Sequence, residues 1–298
     1  MHGHAISPPR AERAPESAPA TLDPSHPVAL LRALGLRARK GLSQSFLVDP
    51  AIARAAAAAA ELTPADTVVE PGPGLGLLTR ELVKRAGRVI AVELDPALAT
   101  ALPRIVPAEN LEVVQGDILQ FDPAAYNLER YLLVSNLPYQ ITSPVLTRFL
   151  VDVPPPVRMV LMLQREVAEK LLARPGSFSF LSVQTQLLAT ARLVRHVPPG
   201  AFSPRPRVLS TLVRLDTRPA AAVPGGDVRA FLAFVRAGFA QPRKQLRNSL
   251  AQGLNEPPAR VDALLAATAI PPTRRPQELT LDDWRFLYAA YLARRPAS

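Results

Sequence analysis

Val68-Val69-Glu70-Pro71-Gly72-Pro73-Gly74-Leu75-Gly76-Leu77-Leu78-Thr79 is the stretch whose reading decides the fold. A short apolar run enters a turn with glycine at alternate positions, and an apolar segment compatible with a helix leaves it. The pattern reads as a buried strand, a tight turn and the start of a helix. Missing β-carbons at Gly72, Gly74 and Gly76 let backbone approach a ligand of nucleotide type. A dinucleotide fingerprint wants glycine at its first, third and sixth positions, whereas the residue three after Gly74 is Leu77. Any tight strand-to-helix turn also needs glycine, so the turn alone leaves a structural role open.

Further along, Arg88-Val89-Ile90-Ala91-Val92 reads as a second strand that ends in Glu93-Leu94-Asp95, and Leu111-Glu112-Val113-Val114-Gln115 as a third that ends in Gly116-Asp117-Ile118. A fourth, Tyr131 to Val134, runs into Asn136-Leu137-Pro138-Tyr139. Each acid alone also fits a solvated strand end or a helix cap. Successive βα units place all these strand ends on one edge of a parallel sheet, where such folds bind ligands. The E-x-G-x-G-x-G form suits S-adenosylmethionine, which has no pyrophosphate to seat on a helix N-terminus. On that reading Glu93 lies where the ribose hydroxyls would be, and Asp117 can accept from the cofactor's adenine amino group.

Asn136-Leu137-Pro138-Tyr139 is suited to holding a planar amine for attack. An exocyclic adenine amine is a poor nucleophile because its lone pair is delocalised into the ring, so a site that draws it out of plane must accept its N–H bonds. The side-chain oxygen of Asn136 and the carbonyl of Leu137 can do so, Pro138 fixes the local backbone, and Tyr139 offers a face on which to stack a base. The alternative is a strand-end turn in which Asn and Pro only stop the strand.

The 298 residues carry a net charge of +10 and no cysteine. Disulfides, thiolate nucleophiles and cysteine-based zinc sites are excluded, and the charge favours a polyanionic partner while leaving RNA, DNA and an acidic membrane open. His2, His4 and His26 belong to the amino-terminal region and His196 stands alone beside Pro198-Pro199, so no metal constellation is expected. Between residues 227 and 298 there are eleven Lys or Arg and six Asp or Glu. Arg236, Arg243, Lys244 and Arg247 follow one another there without an intervening acid, as do Arg32, Arg37, Arg39 and Lys40 nearer the start. Either run can be a solvated helix face or half of an RNA groove.

Residues 1–27, rich in Ala, Pro and Ser, are expected to form a disordered tail. Residues 28–216 alternate strands and helices as a doubly wound α/β domain, with Val157 to Leu163 and Val208 to Leu215 as further strands. Between these, Gln164 to Leu172 reads as a helix carrying a Glu166–Lys170 pair. A Pro- and Gly-containing linker from Thr217 to Gly226 opens a small all-α domain, 217–298, in which Trp284, Leu287, Tyr288 and Tyr291 recur at helical spacing as core. The alanine-rich run Ala51 to Glu61 is a helix too short to span a bilayer, and the protein is expected to be soluble and cytoplasmic.

In this order the motifs resemble those of the ribosomal RNA adenine dimethyltransferase family, from about Leu30 to the C-terminus. The likeness rests also on Lys40-Gly41-Leu42-Ser43-Gln44-Ser45-Phe46-Leu47, Gln164 to Lys170, Phe202-Ser203-Pro204-Arg205-Pro206-Arg207-Val208-Leu209-Ser210, and Arg243-Lys244-Gln245-Leu246-Arg247-Asn248-Ser249-Leu250. It implies a Rossmann-like methyltransferase domain that uses S-adenosylmethionine to dimethylate two adjacent adenosines near the 3′ end of 16S rRNA. The partner implied is an immature small ribosomal subunit and the protein a monomer. By the same likeness Ser45, Leu47, Gly72, Glu93, Asp117 and Asn136 contact cofactor, Asn136, Leu137, Pro138 and Tyr139 handle the base, and Phe202 is a second stacking face.

The chain departs from the family pattern in places. Ser45 stands where the family usually has Asn, Phe178-Ser179-Phe180-Leu181 follows Ser177 where a Tyr-Gly pair is common, and Pro242 replaces a basic residue. A related enzyme acting on large-subunit rRNA, a non-catalytic RNA-binding assembly or transcription factor on the same fold, and a nicotinamide-dependent dehydrogenase are the competing readings. The last is disfavoured by the glycine spacing.

Overall fold

A computed structural model describes residues 22–36, 45–218 and 223–294. Most of the proposed tail, the basic positions Arg37, Arg39 and Lys40, and the middle of the linker lie outside the described residues. The strands are β1 (Phe46–Leu47), β2 (Thr67–Pro71), β3 (Arg88–Glu93), β4 (Leu111–Gln115), β5 (Leu132–Asn136), β6 (Arg158–Gln164), β7 (Ala189–Val197), β8 (Phe202–Ser203) and β9 (Ser210–Thr217). Seven of them form one sheet in the order β4-β3-β2-β5-β6-β9-β7. From β4 through β6 every neighbour is parallel, while β9 is antiparallel to both β6 and β7. The chain moves outward one way through β2, β3 and β4, then returns to start β5 on the other side of β2. The C-terminal ends of β2 and β5 therefore flank the switch point, the place where open α/β sheets hold ligands.

Alternation along the strands covers the sheet on both faces. Val69, Leu133, Leu161 and Val213 pack into one core, and their neighbours Val68, Leu132, Val160 and Leu212 into another on the opposite face. A period of two residues with both faces apolar is what a sheet buried between helical layers requires. On the second face, the helix Pro50–Ala59 is started by Asp49, whose carboxylate accepts from the Ala51 N–H at 2.8 Å, with proline in the first turn. It packs Ile52, Ala53, Ala56 and Ala57 inward at the three- and four-residue spacing of one helix face.

After β9 come the helices Val228–Gly238, Leu246–Leu254, Pro258–Ala266 and Leu281–Leu292. Trp284, Leu287 and Tyr288 are buried at their centre, with the Phe234 and Tyr291 ring centroids 4.9 Å apart, so the aromatic run is core as its spacing suggests. These residues share one continuous apolar cluster with the sheet.

Several local expectations change. The strand read at Val208 to Leu215 begins and ends later, at Ser210–Thr217, because its ladder with β6 starts where Ser210 meets Gln164, the last residue of β6, and runs to Asp216 opposite Arg158. Strand β7 was not legible: it is an edge strand with Arg192 to His196 exposed and a register shift between Leu193 and Arg195, which destroys alternation. The helix after β6 spans Arg165–Leu171, and its ion pair is Arg165 with Glu169 at 2.7 Å, not Glu166 with Lys170. Both spacings are four residues, and only packing decides which of two overlapping pairs forms.

Candidate active site

The glycine turn is left-handed at each of its three glycines, with φ of +63° at Gly72, +57° at Gly74 and +79° at Gly76. Side chains strain this conformation, which is why glycine alternates through the turn. At Gly76 space is limiting as well, since a β-carbon would stand 2.7 Å from Val106 Cγ2. Gly74 N–H donates to Glu93 Oε2 at 3.1 Å, and Asp95 N–H donates to Glu93 Oε1 at 2.9 Å. The carboxylate at the end of β3 thus stitches the turn after β2 to the start of the next helix.

One cavity of about 250 Å³ opens along this edge of the sheet. Ser45, Leu47, Gly72, Glu93 and Asp117 line it, as do Asn136, Leu137, Pro138, Tyr139 and Phe202, so every site residue read from the sequence meets there. Glu70 lines it as well, and that residue carried no role in the sequence reading. Its carboxyl is 1% exposed, and Oε2 has no hydrogen-bond partner. Burial, with Glu93 adding to the effect, pushes Glu70 up to about 8. Burial also raises Glu93, against the lowering effect of the two N–H groups it accepts.

Among the described residues, three carboxyl groups and no Lys, Arg or His side chain line the cavity. The charge of Glu93 and Asp117 disfavours a pyrophosphate and favours a cofactor bearing a sulfonium and an ammonium. S-adenosylmethionine therefore fits the residues present. No group of acids and histidines suited to a metal occurs among the described residues.

The end of the cavity that carries Asn136 and Tyr139 is bordered by Ser45. Asn136 Nδ2 donates to the Ser45 carbonyl at 3.4 Å, an arrangement that leaves Oδ1 as the acceptor of this side chain. The Ser45 hydroxyl donates to the Pro204 carbonyl at 2.8 Å, tying β1 to the loop after β8, and Leu47 pairs with Phe202. The hydroxyl that replaces the family's amide is thus engaged in shaping the wall. Phe202 is almost fully buried and forms a fixed wall; Tyr139 is half-buried. Asp117 Oδ1 accepts from the Leu119 N–H at 2.9 Å.

The basic run near the C-terminus divides on inspection. Arg236 lies over the Phe180 ring, 4.1 Å from its centroid, and Arg247 makes a two-pronged contact to Asp262 at 2.6 and 2.9 Å. Arg243 and Lys244 are exposed, as is Arg32 of the other run. Arg236 and Arg247 thus have intramolecular partners, while Arg243 and Lys244 are the exposed members of the run.

A Rossmann-like sheet with a switch-point cavity lined by carboxyls and a left-handed glycine turn defines an S-adenosylmethionine-dependent methyltransferase. The family model for ribosomal RNA adenine dimethylase matches residues 35–282, and the chain belongs to that family. A ribosomal RNA small subunit methyltransferase A from Dehalococcoides mccartyi is 45% identical over 260 residues, covering 86% of this chain and 89% of the relative. The 23S rRNA methyltransferase ErmE aligns with a TM-score of 0.64 and 32% identity, over 82% of this chain and 98% of that one. A dimethyladenosine transferase from Plasmodium falciparum shares the fold at a TM-score of 0.70 and 23% identity, over 83% of this chain and 97% of its own.

Proposed function

We propose that this chain is an adenine N6,N6-dimethyltransferase that modifies two adjacent adenosines near the 3′ end of 16S rRNA, with S-adenosylmethionine as methyl donor. The observation that carries this reading is the meeting of Asn136-Leu137-Pro138-Tyr139 with Glu93 and the glycine turn in a single cavity. Relatives bearing the small-subunit name support the choice of 16S rRNA, since the likeness to the 23S enzyme is lower in identity.

Bound in the cavity, S-adenosylmethionine supplies an electrophilic methyl group. Glu93 holds ribose hydroxyls, Asp117 accepts from the cofactor's adenine amine, and Ser45, Leu47 and Gly72 shape the wall around it. Asn136 Oδ1 and the Leu137 carbonyl would accept the N–H groups of the target amine, two before the first methylation and one before the second, holding its lone pair out of conjugation and toward the methyl group. Pro138 fixes the turn that aims them. Tyr139 and Phe202 contact the flipped base, offsetting part of its unstacking cost.

The working substrate is an immature small ribosomal subunit in the cytoplasm, and the enzyme acts as a monomer. Residues 28–216 form the methyltransferase domain and 217–298 a helical RNA-binding domain, with 1–27 as a tail. No helix of the described residues is long and apolar enough to cross a membrane. Mass spectrometry of rRNA from cells with and without the protein tests the reading. Loss of two adjacent dimethyladenosines from 16S rRNA supports it, while loss of a mark from 23S rRNA instead, or of none, sinks it.

A further inference from the structure

The hydroxyls of Tyr139 and Ser210 are hydrogen-bonded at 2.7 Å, across 71 residues of sequence. Nothing in the methyl-transfer reading uses Ser210, yet its placement is specific. It is the first residue of β9, fully buried, and paired with Gln164 on β6 and Val197 on β7. A residue laddered on both sides is among the least mobile points in a sheet. Because β9 runs antiparallel to β6, its beginning reaches the same edge at which the parallel strands end, beside the cavity. The insertion of this one reversed strand thus delivers a buried hydroxyl to the substrate edge.

Tyr139 has the opposite surroundings. It follows Pro138 at the start of the short turn Tyr139–Ile141 and is half-buried on the cavity wall. An O–H···O bond at 2.7 Å is at the preferred length for hydroxyl pairs and joins the far end of the Tyr139 ring, whose Cβ sits in the turn, to the buried start of β9. We propose that Ser210 is a positioning residue for methyl transfer, fixing the plane in which Tyr139 presents its ring to the target base. This deepens the reading of Tyr139 as the stacking face and rests on it.

The experiment is a double-mutant cycle in the full-length protein, read by single-turnover methylation of immature small subunits with cofactor and RNA saturating. Ser210→Ala and Tyr139→Phe each remove one side of the same bond, so each is expected to lower the rate about three- to tenfold, the span of one hydrogen bond. The double variant is expected to be no slower than either single variant, and Ser210→Thr to recover most of the rate. Calorimetric affinity for S-adenosylmethionine stays within about twofold of the parent, since less than half a kcal/mol separates such values. Multiplying losses in the double variant, or a parental rate for Tyr139→Phe, overturns the proposal, and the second of these holds even where Ser210→Ala fails to fold. A parental rate for Tyr139→Ala removes the stacking role of Tyr139 itself, and so marks failure of the underlying reading.

Discussion

Glu93 and Gly74, 19 residues apart, are joined by a hydrogen bond of 3.1 Å in which the glycine N–H donates to the carboxylate. The acid proposed to hold the ribose therefore also holds the glycine turn beside the cavity. Two functions that are distant in sequence are carried by one side chain, and the consequences of removing it follow from both.

Glu93→Ala is expected to weaken S-adenosylmethionine binding by about 1.5–3 kcal/mol, the range for charge-assisted hydrogen bonds. Calorimetry on folded variant protein measures it. Parental affinity removes Glu93 from the cofactor site.

Glu70 gives stability a pH dependence of unusual sign. Its carboxyl in the folded protein titrates at about 8, above its ordinary value of 4.5. Between these limits the unfolded chain has lost this proton and the folded protein keeps it, so rising pH destabilises the fold through that interval and the effect levels off beyond it. Glu70→Gln, which keeps the shape and cannot ionise, is expected to raise the melting temperature relative to the parent at pH 8 and to change it little at pH 4.5. Parallel melting curves at both pH values count against a neutral buried Glu70.

Neutralising Arg243 and Lys244 together is expected to weaken RNA binding and to flatten its salt dependence by about two units of slope, close to one for each phosphate contact. Cofactor affinity stays constant. Arg247→Ala behaves differently, because its guanidinium is spent on Asp262, whose carboxyl it holds below the usual range. It should lower the melting temperature with little change in slope. An unchanged slope for the Arg243 and Lys244 double variant moves the RNA surface elsewhere.

Along the motif at the end of β5, the expected order of single-turnover rates is parent, Tyr139→Phe, Tyr139→Ala, Asn136→Ala. Truncation of Tyr139 to Ala loses stacking of about 1–3 kcal/mol, and Asn136→Ala loses an acceptor aimed at the reacting amine. A near-parental rate for Asn136→Ala would leave the tetrapeptide as a structural turn.

The sequence by itself determined the parallel part of the sheet, β2 to β6, and the place of its cavity. Alternate glycines at 72, 74 and 76, and acids or amide at the ends of β3, β4 and β5, are local patterns. Right-handed βα connections carry such patterns to one edge of a parallel sheet without further information. All the residues chosen on that basis line one cavity. Tertiary structure alone decided which atoms are free to act. The Ser45 carbonyl orients Asn136, the buried Ser210 hydroxyl anchors Tyr139, and burial beside Glu93 keeps a proton on Glu70. It also took Arg236 and Arg247 out of the basic run by giving them Phe180 and Asp262. Each of these depends on partners separated by tens of residues or on solvent exclusion by the packed chain, and neither distance nor dielectric surroundings is written in local sequence. The edge strand β7 was hidden for a related reason: exposed arginines and a bulge erase the alternation by which strands are read, and its pairing comes only from β9 beside it.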